Sequence, residues 1–272
     1  MGGPAGESSG SCGGSEEICA TGNRTKGRRK ESFVGFGRSM RVRAVLFDID
    51  DTLYDHREWL RGAFLRVGRL LESRFGLSAE MVRDALLSIA EVRTSASGDL
   101  FDVLLERFGI PGSGGLIGEM VDAFYSYRPE RLEPYPGVRE MMTVLRGEGR
   151  KTGVVTDGRE EVQLQKLEAL GLADLFDVIV ISDAYGREKR KPDTFPYLLA
   201  LERLGVRPDE SVYVGDNPNK DFIGARRIGM KTIRVLLGEY RGVRRDPEWE
   251  ADFEVGSPAE IPEIIRKIER PV

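Results

Sequence analysis

Val42-Arg43-Ala44-Val45-Leu46-Phe47-Asp48-Ile49-Asp50-Asp51-Thr52-Leu53 is the stretch around which the rest of the chain is organised. Its first half is a short apolar run rich in Val, Leu and Phe, the pattern of a buried strand. It then turns acidic, with Asp48, Asp50 and Asp51 packed into four positions. Carboxylates crowded at a strand end need a cation or positive side chains to offset their repulsion. In parallel α/β sheets, ligands bind at the C-terminal edge of the strands. The acidic cluster therefore reads as a ligand site, with a solvated acidic turn as the bland alternative.

Composition narrows the choices. The 272 residues, 40% apolar and 32% charged, suit one large or two smaller globular domains. A net charge of -4 makes no general case for nucleic acid or an anionic membrane as partner. No apolar run is long enough to span a bilayer. The two cysteines, Cys12 and Cys19, lie in a Gly/Ser-rich leader, so a disulfide framework is not expected and a reducing, cytoplasmic setting is. With His56 the only histidine, a bound metal must be held by oxygen, which favours Mg²⁺.

Residues 1–39 carry no periodic apolar pattern and read as a disordered leader without a secretory signal. The basic run Arg24-Thr25-Lys26-Gly27-Arg28-Arg29-Lys30 reads as a solvated tail, and Met40, just before the first strand, as the natural start. From 57 onward the period becomes helical. Leu60, Phe64, Val67 and Leu71 share one face, as do Val82, Ala85, Leu86 and Ile89. Leu100 to Phe108 and Ile117 to Phe124 repeat the pattern, punctuated by Gly76, Gly98 and the Pro111–Gly115 run. Residues 57–129 thus form a helical insert, with Pro134-Tyr135-Pro136-Gly137 as the return hinge. Beyond it, strands expected at 153–156, 178–181, 212–214 and 232–236 alternate with helices. The fold class is α/β: a doubly wound parallel sheet of five strands, built from 40–56 and 130–272, carrying the insert.

Three later segments sit at strand ends or beside them: Thr156-Asp157-Gly158, Lys189-Arg190-Lys191-Pro192, and Gly215-Asp216-Asn217-Pro218-Asn219-Lys220-Asp221. If the first, second and fourth strands are neighbours, one crevice holds Asp48, Asp50, Thr156, a lysine, Asp216 and Asp221. Each alone has an ordinary reading: a strand-end hydroxyl, a surface lysine, a helix cap. Together they describe a Mg²⁺-dependent phosphoryl-transfer site. A carboxylate can attack phosphorus and split one hard step into two, and a cation offsets the repulsion between two anions. A second carboxylate can serve as general acid and then base.

The combination resembles the haloacid dehalogenase superfamily of phosphohydrolases over about 41–270. Asp48-Ile49-Asp50-Asp51-Thr52 looks like its first motif, which implies Asp48 as nucleophile and Asp50 as acid/base. Thr156, followed by Asp157 where relatives often carry Asn, matches the second motif, the phosphate-binding one. Lys191 before Pro192 matches the third, also in contact with the phosphate. The loop after Gly186 is two residues longer than in similar members, so Lys189 competes for the role, and register with Pro192 favours Lys191. Asp216 and Asp221 match the fourth motif. By the resemblance, Asp48, the Asp50 carbonyl and Asp216 ligate Mg²⁺ and Asp221 supports the site.

The insert is similar to the helical cap of subfamily I. More narrowly, the pattern is similar to archaeal members acting on glyceraldehyde 3-phosphate. The resemblance implies a phosphatase for a small phosphorylated metabolite, glyceraldehyde 3-phosphate or phosphoglycolate among the candidates, working as a monomer or homodimer. A phosphomutase shares the motifs. A 2-haloacid dehalogenase lacks the second catalytic Asp, and a receiver-type signalling domain lacks a helical insert. Arg57, Arg61, Arg93 and Arg128 are candidates for a second anionic group, and none is assigned.

Overall fold

All four residues of β1 (Ala44–Phe47) are buried, because their side chains alternate between two apolar layers. Val45 and Phe47 enter one core cluster, Ala44 and Leu46 the other. The computed structural model of the protein describes residues 2–3 and 41–270. Apart from those two glycines, the expected leader lies outside the described residues, as does the start expected at Met40.

Four helices follow β1: α1 (His56–Phe75), α2 (Ala79–Arg93), α3 (Leu100–Arg107) and α4 (Gly114–Tyr125). Their starts are written locally. Asp55 accepts a hydrogen bond from the Arg57 amide, Ser78 from Met81 and Ser113 from Leu116. Gly114 and Gly115, expected as a break, instead open α4 behind the Ser113 cap. The chain leaves and re-enters the sheet side by side. Tyr54 bridges Pro134 in antiparallel fashion, and the Tyr135 amide donates to the Leu53 carbonyl at 2.8 Å.

The remainder alternates as expected: α5 (Val138–Gly147), β2 (Lys151–Thr156), α6 (Glu160–Ala169), β3 (Val178–Ile181), α7 (Phe195–Leu204), β4 (Ser211–Gly215), α8 (Phe222–Arg227), β5 (Lys231–Val235), β6 (Phe253–Val255) and α9 (Ile261–Glu269). The strands form one all-parallel sheet in the order β3-β2-β1-β4-β5-β6. It has six strands, not the five expected. β6 is three residues long, with Glu254 exposed and Phe253 half-buried, so it offers no apolar run to read. Helices α5, α6 and α9 pack on one face with Val45 and Phe47, and α7 with Ala225 of α8 on the other.

Register positions the site. Phe47 lies opposite both Val154 and Val214, so Asp48, Thr156 and Asp216 leave the sheet at one edge within a residue of level. The Asp48 amide donates to the Val214 carbonyl at 2.9 Å, fixing the point where β1 ends.

Candidate active site

Lys191 is the hub of this edge. Its Nζ lies 2.9 Å from Asp48 Oδ2 and 2.8 Å from Asp221 Oδ1, and donates to the Tyr213 hydroxyl at 2.9 Å. Tyr213 in turn donates a hydrogen bond to the Val155 carbonyl at 3.0 Å. Burial works against the charge, but Asp221 and Asp48 outweigh it and hold Lys191 well above the ordinary lysine value. The loop carrying Lys191 is pinned where its amide donates to Asp157 Oδ1, and the Lys191–Pro192 peptide bond is cis. Lys189, two residues earlier, lies over the Phe195 ring instead. Of the two lysines, the fold brings Lys191 to Asp48.

Asp48, Asp216 and Asp221 are all buried, each offering an oxygen within 4.8 Å of the others. Asp48 Oδ1 has no hydrogen-bond partner among the described residues. Burial raises the Asp48 carboxyl, but Lys191 and Lys220 more than reverse this and leave it below the usual range. Asp216 lies well above that range: burial, Asp221, Asp51 and Asp48 all push it up. Asp221 is also raised, by burial and Asp48, despite Lys191, and accepts from the Asn217 amide at 2.9 Å. Three buried carboxylates converging with one oxygen unpartnered form a donor set that fits a hard divalent cation. Asp51, read with them, turns away: it accepts from the amides of His56 and Glu239, 2.9 and 3.0 Å off.

Thr156 ends β2 beside this cluster. Gln163 of α6 donates to Thr156 Oγ1 at 2.8 Å and to the Asp157 carbonyl at 2.9 Å. With its oxygen accepting from Gln163, the Thr156 hydroxyl has its proton held only by a long contact to the Asp157 carbonyl at 3.5 Å, from which it can turn to a ligand in the crevice. The Asp157 carboxylate accepts from Ser182 at 2.6 Å and faces the Lys220 ammonium at 3.5 Å.

Asp50 has a more elaborate setting than the sequence suggests. Lys166 Nζ lies 2.8 Å from each of its oxygens, Tyr54 donates to it at 2.7 Å, and His56 Nδ1 is 3.0 Å away. The Lys166 ammonium also sits 4.6 Å from the Trp59 ring centre, on which His56 stacks. Burial raises Asp50, yet His56 and Lys166 overcome it and hold the carboxyl well below its usual range.

Tyr54, His56, Gln163, Lys166, Tyr213 and Lys220 are the site residues that sequence reasoning missed. Gln163 and Lys166 left a readable signal: three apart, they share the α6 face that follows Thr156. Beside Asp51, a cleft of about 380 Å³ opens between α1, α2 and the loop after β5, lined in part by His56, Arg61, Ser95, Glu239 and Arg241. Glu239 crosses it to accept from the Ser95 amide and hydroxyl, at 2.6 and 2.7 Å. Of the arginines singled out, Arg57 and Arg61 both line this cleft, Arg57 pairing there with Glu91, while Arg93 pairs with Asp99 and Arg128 caps the Tyr125 and Tyr127 carbonyls.

This arrangement coincides with a known family. Residues 45–235 match the family model described as haloacid dehalogenase-like hydrolase, and the chain belongs to that family. It is 36% identical over 231 residues to a glyceraldehyde 3-phosphate phosphatase of Methanopyrus kandleri, covering 84% of this chain and 98% of that protein. The protein of that name from Methanocaldococcus jannaschii is 30% identical, with 84% and 99% covered. Among solved structures, a HAD phosphatase from Thermococcus onnurineus superposes with a TM-score of 0.57 at 31% identity, covering 82% of this chain and 98% of that one. Within the family the protein is a phosphatase. No helix among the described residues is long and apolar enough to cross a membrane.

Proposed function

We propose that the protein hydrolyses a small phosphorylated metabolite with the help of Mg²⁺, through an aspartyl-phosphate formed on Asp48. One observation carries the reading: Asp48 is buried with Oδ2 clamped by Lys191, while Oδ1 has no partner among the described residues. An anionic oxygen that is deprotonated, oriented and unpartnered is a nucleophile in waiting. Asp48 attacks phosphorus, the bond from phosphorus to the substrate oxygen breaks, and that oxygen takes the proton of Asp50. Water then attacks phosphorus and gives a proton to Asp50. The bond to Asp48 breaks, releasing inorganic phosphate and restoring the Asp48 carboxylate and the protonated Asp50.

Asp50 is held anionic by His56 and Lys166, which suits the second step, and the charge of an arriving phosphate lifts its proton affinity for the first. Thr156, its hydroxyl oriented by Gln163, donates to the phosphate, and the Asp157 segment borders it. Asp48, Asp216 and the Asp50 carbonyl would hold Mg²⁺, with Asp221 in support. When bound, the ion supplies the positive charge that lets two anions meet. The convergence of Asp48, Asp216 and Asp221, the unpartnered Asp48 Oδ1 and the raised Asp216 favour such an ion.

Helices α1 to α4, the 57–129 insert together with His56 at the start of α1, act in this reading as the cap that closes over the leaving group and selects it. Two relatives are named for glyceraldehyde 3-phosphate, which makes it the first substrate to test, with phosphoglycolate second. The paucity of cysteine fits action in the cytoplasm. The experiment is a panel of phosphorylated metabolites assayed for phosphate release with Mg²⁺ and in excess EDTA. Full turnover in EDTA, or no release from any small phosphomonoester, overturns the proposal.

A further inference from the structure

We infer that Lys220 is the cation that meets the incoming phosphate, held over Asp48 by the Asp157 carboxylate; this rests on the proposed role of Asp48. An ammonium has three N–H donors. Lys191, with its side chain fully buried, directs them at Asp48, Asp221 and Tyr213, all within 2.9 Å. With all three engaged, it sets the charge and aim of the nucleophile.

Lys220 differs in each respect. Its side chain is 30% exposed, on the open side of Asp48. Its Nζ stands 3.7 Å from Asp48 Oδ2 and 3.5 Å from Asp157 Oδ2, too far for strong hydrogen bonds to either. It is therefore near both carboxylates, with one long hydrogen bond to Asp157 and donors left for a further acceptor. A phosphate oxygen arriving at Asp48 is the natural acceptor, and charge-assisted N–H to phosphate contacts are among the stronger hydrogen bonds.

The same geometry accounts for Asp157. A carboxylate next to a phosphate-binding threonine repels the substrate unless it is offset. Here Ser182 and the Lys191 amide hold it, and its free edge faces Lys220. Asp157 is a positioning residue: it keeps the ammonium at the mouth, and the turn from Asn217 to Asp221 supplies the backbone for it. That turn is fixed by hydrogen bonds from the Asn219 and Lys220 amides to Asn217.

The test is calorimetric titration of inorganic phosphate into the full-length protein with Mg²⁺ present, for wild type, Lys220→Met and Lys220→Arg. Lys220→Met is expected to weaken phosphate binding about tenfold or more, the loss of one charge-assisted contact. KM should rise, while Lys220→Arg, which keeps the charge beside Asp48, should keep the melting temperature near wild type. Lys220→Arg should restore most of the affinity. Phosphate affinity of Lys220→Met within about twofold of wild type, or equal loss in the Arg variant, overturns the inference. If wild type itself bound no phosphate, the failure would lie with the reading of the site, and the inference would fall with it.

Discussion

Replacing Asp216 with Asn should make the metal-free protein more stable while removing most of the response to Mg²⁺. Asp216 is buried with oxygens within 4.8 Å of Asp48 and Asp221. At that separation two unit charges repel by about 3.5 kcal/mol at an effective dielectric of about 20. Lys191, at 2.9 and 2.8 Å from Asp48 and Asp221, cancels much of what Asp216 would feel. A residual repulsion of about 1–2 kcal/mol remains, or roughly 2–8 °C in melting temperature for a chain of this size. The folded-state pKa of Asp216 lies well above its unfolded value of about 3.9, so stability is lost as pH rises from there through the raised value. The advantage of Asp216→Asn in EDTA should therefore vanish toward pH 4 and grow toward neutrality. With Mg²⁺ at a hundred times its Kd, wild type should gain about 2.7 kcal/mol, and the order of the two proteins should reverse. The assay is thermal and urea unfolding of both proteins across pH, with EDTA and with Mg²⁺. A destabilised Asp216→Asn protein in EDTA at pH 7, or an undiminished Mg²⁺ shift in it, would refute the reasoning.

Four further outcomes follow from particular residues. Lys191→Ala leaves Asp48 and Asp221 buried without their counter-ion, so it should cost about 3–5 kcal/mol of stability and nearly all turnover; Lys189→Ala, over Phe195, should stay near wild type in both, and equal effects would show that the wrong lysine is assigned. Asp48→Asn should yield no phosphoenzyme by intact-protein mass spectrometry. Asp50→Asn should lose about 10²–10⁴-fold in turnover and accumulate phosphoenzyme with an aryl phosphate, and near-normal turnover would refute its role. Gly238 has φ +65°, and a methyl group there would sit 2.2 Å from Asp51 Cγ. Gly238→Ala should cost about 1–3 kcal/mol in urea unfolding, and a neutral result would count against the tight seat of the loop on Asp51.

The fold was legible because its signals are local. The β1 run, the change from period two to period 3.6 at the insert, and the alternation after Gly137 follow from which side chains must leave water. The candidate Asp48, Thr156 and Asp216 were legible because each stands at a strand end, and parallel strands bring such ends together; Lys191 and Asp221, ten and six residues beyond the ends of β3 and β4, were read from the motifs around them. Sequence could not count β6, whose three residues have no apolar run of their own.

What tertiary structure alone decided is how charge is shared among those residues. Asp48, Asp50 and Asp51 look equivalent on paper. In the fold they part: Asp48 goes to Lys191, Asp50 to Lys166 and His56, and Asp51 to two backbone amides. Lys166 reaches Asp50 across 116 residues and Lys220 approaches Asp157 across 63, separations that no periodicity encodes. Which lysine is saturated and which is free depends on three-dimensional distance, since a buried ammonium satisfies its donors with whatever the packing sets within about 3 Å. Sequence supplied the residues and the edge where they meet; packing of the sheet against α6 and the Lys191 loop determined which charge answers which.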